Sequence, residues 1–559
     1  MPKPKHFELS KQTYKICFCC RRKFKLAVAE APKEIKALFG KYSENDVMTA
    51  SYLQQFLVEE QKEEKVTIRD AQGIIDSLRH LHVFHHRGIN LEGFFKYLFG
   101  DINPPLPPKI EVHQDMDAPL SHYFIYTGHN SYLTGNQLTS PSSDVPIINA
   151  LQRSVRVIEL DVWPNSSKDN VDVLHGGTMT APIELIKCLR AIKKYAFSAS
   201  DYPAVITLED HLTTSLQAKA AEMITQTFGE TLYIPDSKCI KEFPSPNSLQ
   251  KRAMISTKPP EDVEGKDMAQ KSTKDSINNE KEATKTQKAP EYKRLIAIHA
   301  GKPKGGLKEA LMVDPNKVRR LSLSELELEK AADDYGKELV RFTQNNILRV
   351  YPKGTRIDSS NYDPLLAWTH GAQMVAFNMQ GHGKPLWLMQ GMFRANGGCG
   401  YVKKPDFLLK TGPNDEVFDP KDKLPVKKIL KVNVYMGDGW YYDFHHGHFD
   451  KFSPPDFYVK IGVAGVPADT GMKKTKVLED NWIPSWNEEF EFPLTVPELA
   501  LLRVEVHEYD MSNSDDFAGQ TCLPIWELRE GIRCVPLYNC EGEMYKSVKL
   551  LMRFTFVSP

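Results

Sequence analysis

No apolar stretch in this chain of 559 residues approaches the roughly 18 that a membrane-spanning helix requires. The opening Met-Pro-Lys-Pro-Lys lacks the apolar centre of a signal peptide. Neither sign of charge predominates: 72 Lys plus Arg stand against 72 Asp plus Glu. No global field therefore draws the protein to nucleic acid or membrane, and an anionic partner must be recognised locally. Cysteine is sparse. The nine are scattered and lack zinc-ligand spacing, which predicts a reduced cytoplasmic protein. The exception is Cys17, Cys19 and Cys20 beside Arg21, Arg22, Lys23 and Lys25. These read as thiols at the start of a helix, with S-acylation beside a basic patch as the alternative.

The length implies several domains. Residues 1–105 carry helical periodicity, as in Glu34-Ile-Lys-Ala-Leu-Phe39 and Leu91-Glu-Gly-Phe-Phe-Lys-Tyr-Leu98. The helix–loop–helix rhythm is EF-hand-like, but Lys41-Tyr-Ser-Glu-Asn-Asp-Val-Met48 lacks the alternating ligands and central Gly of a calcium loop. It reads as a structural module, followed by the stiff Asn103-Pro-Pro-Leu-Pro-Pro108. Residues 259–293 are charged and nearly free of large apolar side chains, which predicts a disordered linker.

On either side of that linker lie runs with the length and β-branched content of buried strands. In the first half (113–258) they are Tyr123-Phe-Ile-Tyr-Thr-Gly-His129-Asn130, Val155-Arg-Val-Ile-Glu159-Leu-Asp161, Val171-Asp-Val-Leu-His175, Ala204-Val-Ile-Thr-Leu-Glu209 and Arg252-Ala-Met-Ile-Ser-Thr-Lys258. The second half (294–411) adds Leu295-Ile-Ala-Ile-His-Ala300, Ile347-Leu-Arg-Val-Tyr351 and Met374-Val-Ala-Phe-Asn-Met-Gln380. With helical stretches between most of them, eight such strands predict a split (β/α)8 TIM-like barrel. From 427 to 557 the texture changes to short alternating strands, such as Asp456-Phe-Tyr-Val-Lys-Ile461, which predicts an antiparallel β-sandwich.

A parallel barrel presents its active site at the carboxyl ends of the strands. Four of the runs end in polar residues there. Asn130, Glu159, Asp161 and Glu209 are hard oxygen donors suited to calcium, and Glu-x-Asp on one strand sends both carboxylates to the same side. Zinc would want His or Cys as ligands, so His129 and His175 remain available for proton transfer. A metal flanked by two His suits phosphoryl transfer. Lys258, Arg349 and Tyr351, also at strand ends, could hold a ring bearing further phosphates.

These motifs carry a specific resemblance. His129-Asn130-Ser-Tyr-Leu, Ile158-Glu-Leu-Asp-Val-Trp163 and Leu174-His-Gly-Gly-Thr178 resemble the X-box of eukaryotic phosphoinositide-specific phospholipase C. Asp358-Ser-Ser-Asn-Tyr-Asp-Pro364 and Asn396-Gly-Gly-Cys-Gly-Tyr-Val402 resemble its Y-box. The resemblance covers nearly the whole chain, with the sandwich as a C2 domain. The short architecture and Ser-Thr-Lys-Pro-Pro at 256–260 are similar to the plant enzymes.

The resemblance implies that His129 stabilises charge at phosphorus, that His175 is general acid then base, and that Asn130, Glu159, Asp161 and Glu209 hold a catalytic calcium. Either Glu159 or Asp161 would deprotonate the inositol 2-hydroxyl. Lys258, Ser322, Arg349 and Tyr351 would contact the ring and its phosphates, Ser322 being placed by resemblance alone. The substrate would be a phosphoinositide, chiefly phosphatidylinositol 4,5-bisphosphate, cleaved to diacylglycerol and a soluble inositol phosphate. Ser256 stands where the family often has a second Lys, which predicts weaker selection for the most phosphorylated head group. The apolar rim would map to Leu138, Met179 and Thr355, with Thr355 weakening it. In the C2 domain Asp456, Glu508, Asp510 and Asp516, with Asp450 nearby, would bind calcium and an anionic membrane, Glu508 replacing the usual Asp. The implied protein is a monomer, peripheral on the inner face of the plasma membrane. A glycerophosphodiesterase-type barrel would not predict the inserted linker with a C2 domain. A catalytically dead relative would have lost a His or a ligand.

Overall fold

The computed structural model describes residues 11–15, 21–25, 29–78, 84–85, 88–107, 112–236, 240–260, 289–301, 305–445, 447–510 and 514–559. Cys17, Cys19, Cys20 and most of the expected linker (261–288) fall outside the described residues. The chain divides into two units. One comprises 1–112, 382–397 and 420–559, and the other 113–381 with 398–419.

The second unit is built on eight parallel strands. They are β1 (Tyr123–Gly128), β2 (Val157–Pro164), β3 (Ala204–Asp210), β4 (Ala253–Thr257), β5 (Ile296–His299), β6 (Arg320–Ser324), β7 (Ile347–Tyr351) and β8 (Met374–Phe377). Their spatial order is β5-β4-β3-β2-β1-β8-β7-β6. A parallel bridge between Ala300 and Arg320 joins the two ends and closes the cylinder. Strands buried on both faces need continuous apolar or β-branched sequence, and β1 is buried along its whole length.

One run was misplaced by sequence and one barrel strand was missed. Val171–Val173 is no barrel strand: it pairs antiparallel with the end of β2, as one arm of a hairpin with Ile183–Glu184. The eighth barrel strand is instead β6, Arg320-Leu-Ser-Leu-Ser324. Its polar residues alternate with the fully buried Leu321 and Leu323, so it offers no apolar run to recognise.

Side chains alternate with period two along a strand, so inward residues climb the barrel in tiers. Ile125, Val157, Val205, Met254, Val318 and Ile347 share one apolar cluster at the bottom. Two residues further along stand Thr127, Glu159, Thr207, Ser256, Arg320 and Arg349. Two further again are His129, Asp161, Glu209, Lys258, Ser322 and Tyr351. The polar tiers lie toward the carboxyl ends.

In the first unit, helices Lys33–Lys41, Ala50–Glu59, Ile68–Ser77 and Leu91–Leu98 enclose Phe39, Phe56 and Phe94. Thr67 and Asp70 form a capping box that satisfies backbone donors at the start of the third helix. The C2 region holds eight antiparallel strands between Lys428 and Val557 around Trp440, Phe457, Val504 and Leu550. The Gln61 side chain donates to the Ile532 carbonyl at 2.7 Å and accepts from its amide at 2.6 Å, tying the helices to the strands. Helix Lys384–Met392, which follows β8 in sequence, belongs to this unit. Its Trp387 Nε1 donates to the Cys540 carbonyl at 2.8 Å.

Candidate active site

Glu159 and Asp161 project from β2 and Glu209 from β3, where Asp161 and Glu209 are register partners. One oxygen of each carboxylate lies within 4.8 Å of the others. Asn130 follows β1 in a left-handed conformation (φ 41°), from which its amide donates to Glu159 Oε2 at 3.2 Å. Its side-chain Nδ2 donates to Gln137 Oε1 at 2.9 Å, which leaves the amide oxygen as the group it can offer a cation.

The three carboxylates are not equivalent. Burial would raise Glu159, yet the Arg349 guanidinium ion-paired with it, His129 and the Asn130 amide hold it below the usual carboxylate value. Burial, then the negative charges of Glu159 and Glu209, push Asp161 well above it. Tyr132 donates to Asp161 Oδ2 at 2.8 Å, while Asp161 Oδ1 is buried with no partner. A buried, unpartnered carboxylate oxygen facing two more carboxylates fits a hard cation, as do four oxygen donors without a sulfur or imidazole. Glu209 is further held by His211 Nε2 at 3.0 Å, and the His211 ring stacks on Trp163 at 3.8 Å.

Both histidines have one ring nitrogen committed. His129 Nδ1 meets Asn378 Oδ1 at 2.9 Å, and Gln137 Nε2 also donates to that oxygen at 3.0 Å. An oxygen already accepting from an amide makes His129 Nδ1 the protonated nitrogen. His175 Nδ1 donates to the Gln137 carbonyl at 2.7 Å. In each ring Nε2 is then the nitrogen available to a ligand. Desolvation pushes the His129 pKa down, against the pull of Glu159.

Gln137 and Asn378 were missed by sequence. Asn378 ends the β8 run and could have been found by the same strand-end rule. Gln137 sits in a loop and carried no such signal, yet it touches Asn130, Asn378, Ser359 and, through its carbonyl, His175.

Among the expected ring-contacting residues, Ser322 and Arg349 are register partners on β6 and β7, and the Arg349 guanidinium lies 5.2 Å from the Tyr351 ring centre. Lys258 is exposed just beyond β4. Ser256 is fully buried. On the rim, Leu138 and Met179 are exposed and joined by a backbone hydrogen bond of 2.9 Å. Ile357, which sequence did not single out, is 50% exposed, and its carbonyl accepts from the Gln137 amide at 2.9 Å. Ile357 thus adds a third exposed apolar side chain, its backbone bonded to the residue before Leu138.

Family models agree in order along the chain. Phosphatidylinositol-specific phospholipase C, X domain, matches residues 116–259, and the Y domain matches 293–407. An EF-hand-like model of phosphoinositide-specific phospholipase C matches 28–102 and a C2 model matches 428–539. Phosphoinositide phospholipase C 2 of Arabidopsis thaliana is 62% identical over 98% of this chain and 100% of its own length. The chain belongs to the phosphoinositide-specific phospholipase C family. The human 1-phosphatidylinositol 4,5-bisphosphate phosphodiesterase zeta-1 is 33% identical over 94% of this chain and 88% of that relative. The crystal structure of S. officinalis PLC21 has a TM-score of 0.75 at 25% identity, covering 95% of this chain and 69% of that one.

As a phospholipase C the chain is a phosphoric diester hydrolase, and its family and C2 domain imply a lipid substrate and membrane association. No helix among the described residues is long and apolar enough to cross a membrane. In the C2 domain Glu508 pairs in register with Phe457 and with Asp516, and the Tyr509 amide donates to the Asp456 carbonyl at 2.8 Å. Burial, then Asp450, Asp456 and Asp516, push Glu508 up to about 8. Burial is also the first cause raising Asp450 and Asp456, with neighbouring aspartates adding to it, among them Asp510 and Asp480 on Asp450. These carboxylates feel one another. However, among the described residues only the barrel trio brings three ligand oxygens within 4.8 Å.

Proposed function

We propose that this phospholipase C is calcium-dependent and cleaves phosphatidylinositol 4,5-bisphosphate, with phosphatidylinositol 4-phosphate as a second substrate. The products are diacylglycerol and a soluble inositol phosphate, inositol 1,4,5-trisphosphate from the bisphosphate. The human relative, a 1-phosphatidylinositol 4,5-bisphosphate phosphodiesterase, supports the substrate class. The observation that carries the reading is the carboxylate trio with its unpartnered Asp161 oxygen, flanked by two histidines with engaged Nδ1 positions.

Asn130, Glu159, Asp161 and Glu209 would hold the cation. Calcium, when bound, offsets charge on a phosphoryl oxygen and makes the inositol 2-hydroxyl more acidic. Glu159 or Asp161 accepts the hydroxyl proton as the oxygen attacks phosphorus. His175, entering as the imidazolium with Nδ1–H kept on the Gln137 carbonyl, gives the Nε2 proton to the departing diacylglycerol oxygen, leaving a cyclic phosphodiester. The same nitrogen then takes a proton from the water that opens the ring, and the carboxyl that accepted the 2-hydroxyl proton returns it to the leaving 2-oxygen. His129, held at Nδ1 by Asn378, would act as the imidazolium, donating its Nε2 hydrogen to the phosphoryl oxygens where negative charge grows. Lys258, Ser322, Arg349 and Tyr351 orient the ring phosphates.

Asp456, Glu508, Asp510 and Asp516 would bind calcium in the C2 domain and join it to anionic lipid on the inner face of the plasma membrane. Leu138, Met179 and Ile357 would seat the barrel rim in the lipid.

The test is release of water-soluble inositol phosphates from mixed vesicles with and without calcium. His129→Ala and His175→Ala should each lose activity by a factor of about 100 or more. Full activity in both would refute the site.

A further inference from the structure

The middle tier of the barrel contains two arginines, and among the described residues only one is ion-paired, although Glu159 attracts both. Arg349 is ion-paired with Glu159. Arg320 donates from Nη1 to Ser256 Oγ at 2.9 Å and to Thr207 Oγ1 at 3.3 Å, both neutral hydroxyls. Its Nε is buried with no partner, the residue is only 5% exposed, and it makes no ion pair among the described residues. A guanidinium buried without a carboxylate is expensive unless it compensates charge elsewhere. The one carboxylate of this tier, Glu159, is already shared between Arg349 and the trio. The excess positive charge therefore sits directly beneath Lys258, Ser322 and Tyr351.

The path of the side chain shows how it gets there. Arg320 starts on β6 and reaches across β5 to hydroxyls on β4 and β3. Ser256 and Thr207 are small enough to admit it and accept its N–H groups. A long cationic side chain at 256 would compete for that space. The charge expected from β4 is thus delivered from β6.

We infer that Arg320 is a specificity-determining residue: its guanidinium forms the cationic floor of the head-group pocket and favours inositol rings bearing additional phosphates. The inference rests on the phosphoinositide reading above. Arg349, engaged with Glu159, and the exposed Lys258 would otherwise leave that floor without a dedicated cation. Selection for phosphorylated head groups is retained despite Ser256.

The experiment compares the full-length protein with Arg320→Gln, Arg320→Lys and the charge-relocating double variant Ser256→Lys/Arg320→Ser. Each is assayed on vesicles of phosphatidylinositol, its 4-phosphate and its 4,5-bisphosphate, and titrated calorimetrically with soluble inositol 1,4,5-trisphosphate. Arg320→Gln should lower kcat/KM on the bisphosphate about tenfold more than on phosphatidylinositol, and weaken trisphosphate binding by about the same factor. Arg320→Lys and the double variant should each recover part of the preference. An unchanged substrate ratio in folded Arg320→Gln overturns the inference. So does an equal fall on all three lipids with unaltered trisphosphate affinity, which marks a purely structural charge. If Arg320→Gln does not fold, the double variant decides: a preference no better than that of phosphatidylinositol-level binding refutes the floor cation. A wild-type protein inactive on all three lipids would instead defeat the phosphoinositide reading, and trisphosphate binding would still report on Arg320.

Discussion

The backbone carbonyl of Gln137 accepts the Nδ1 hydrogen of His175 at 2.7 Å. The same residue's side chain accepts from Asn130 and donates to Asn378 and Ser359. One loop residue therefore fixes a proposed metal ligand, a proposed proton donor and, through Asn378, the second histidine. Buried networks of this kind hold each member in one rotamer and one tautomer.

Gln137→Met keeps the length but strips every side-chain hydrogen bond. The Asn130 side-chain amide would lose its acceptor, and Asn378 Oδ1 and Ser359 Oγ would each lose a donor. Activity should fall about 10–100-fold with weaker calcium dependence. Stability should fall by about 1–3 kcal/mol. Calcium titrations of lipid hydrolysis and urea unfolding measure the two effects. Gln137→Glu, which retains the acceptor, should lie between.

Asp161→Asn should separate stability from function. In the folded chain Asp161 is buried against two like charges, which disfavour its ionised form. An amide removes that repulsion, so the calcium-free protein should melt higher than wild type. Calcium bound at the proposed site would protect the wild type, by about 2.7 kcal/mol at a hundred times the dissociation constant. That protection should shrink in the variant along with hydrolysis. Calorimetry with and without calcium decides it, and an unchanged calcium shift would contradict a ligand role for Asp161.

Gly176, next to His175, faces the Trp163 ring so closely that a Cβ would come 2.0 Å from it. Gly176→Ala must displace Trp163, which stacks on His211, which in turn holds Glu209. The change should reach the acidic trio through two rings. Activity should drop about tenfold or more, since small misplacements of reacting groups are costly. Intrinsic tryptophan fluorescence should shift with it.

The β-branched runs with polar tips in β1, β2 and β3 were legible because a buried parallel strand and a strand-end ligand leave the same mark in any sequence. Sequence could not see β6, whose inward face is Arg320, Ser322 and Ser324. Such a polar alternation reads as surface unless its partners are known. Val171–Val173 erred in the other direction: three apolar-flanked residues make a strand, but nothing local says whether it closes a barrel or extends an edge. Gln137 and Arg320 act across the chain, on residues as far apart as Asn378 and Thr207. Their roles come from tertiary contact and have no local pattern.

His122 gives the fold a pH dependence independent of catalysis. Burial, then the nearby charges of Lys404 and Lys403, lower its pKa from 6.5 to about 4. Below pH 6.5 the unfolded chain takes up a proton that the folded chain refuses until about pH 4. Stability contributed by the neutral ring is therefore complete above pH 6.5 and declines as the pH falls toward 4. Melting temperatures measured across that range should fall less steeply for His122→Asn than for wild type. Parallel curves would show that His122 does not carry the effect.

The C2 carboxylates make the same kind of argument for membrane binding. Glu508 is only 2% exposed and is pushed up to about 8, first by burial and then by Asp450, Asp456 and Asp516. Such a cluster repels itself until a cation bridges it. Asp456→Ala combined with Asp510→Ala should relieve the repulsion, so the calcium-free domain should gain stability. The same pair should lose calcium-dependent sedimentation with phosphatidylserine vesicles, because charge repulsion and cation binding have one origin. Sedimentation that persists in the double variant would move membrane attachment away from these loops, leaving the apolar rim at Leu138, Met179 and Ile357 to account for it.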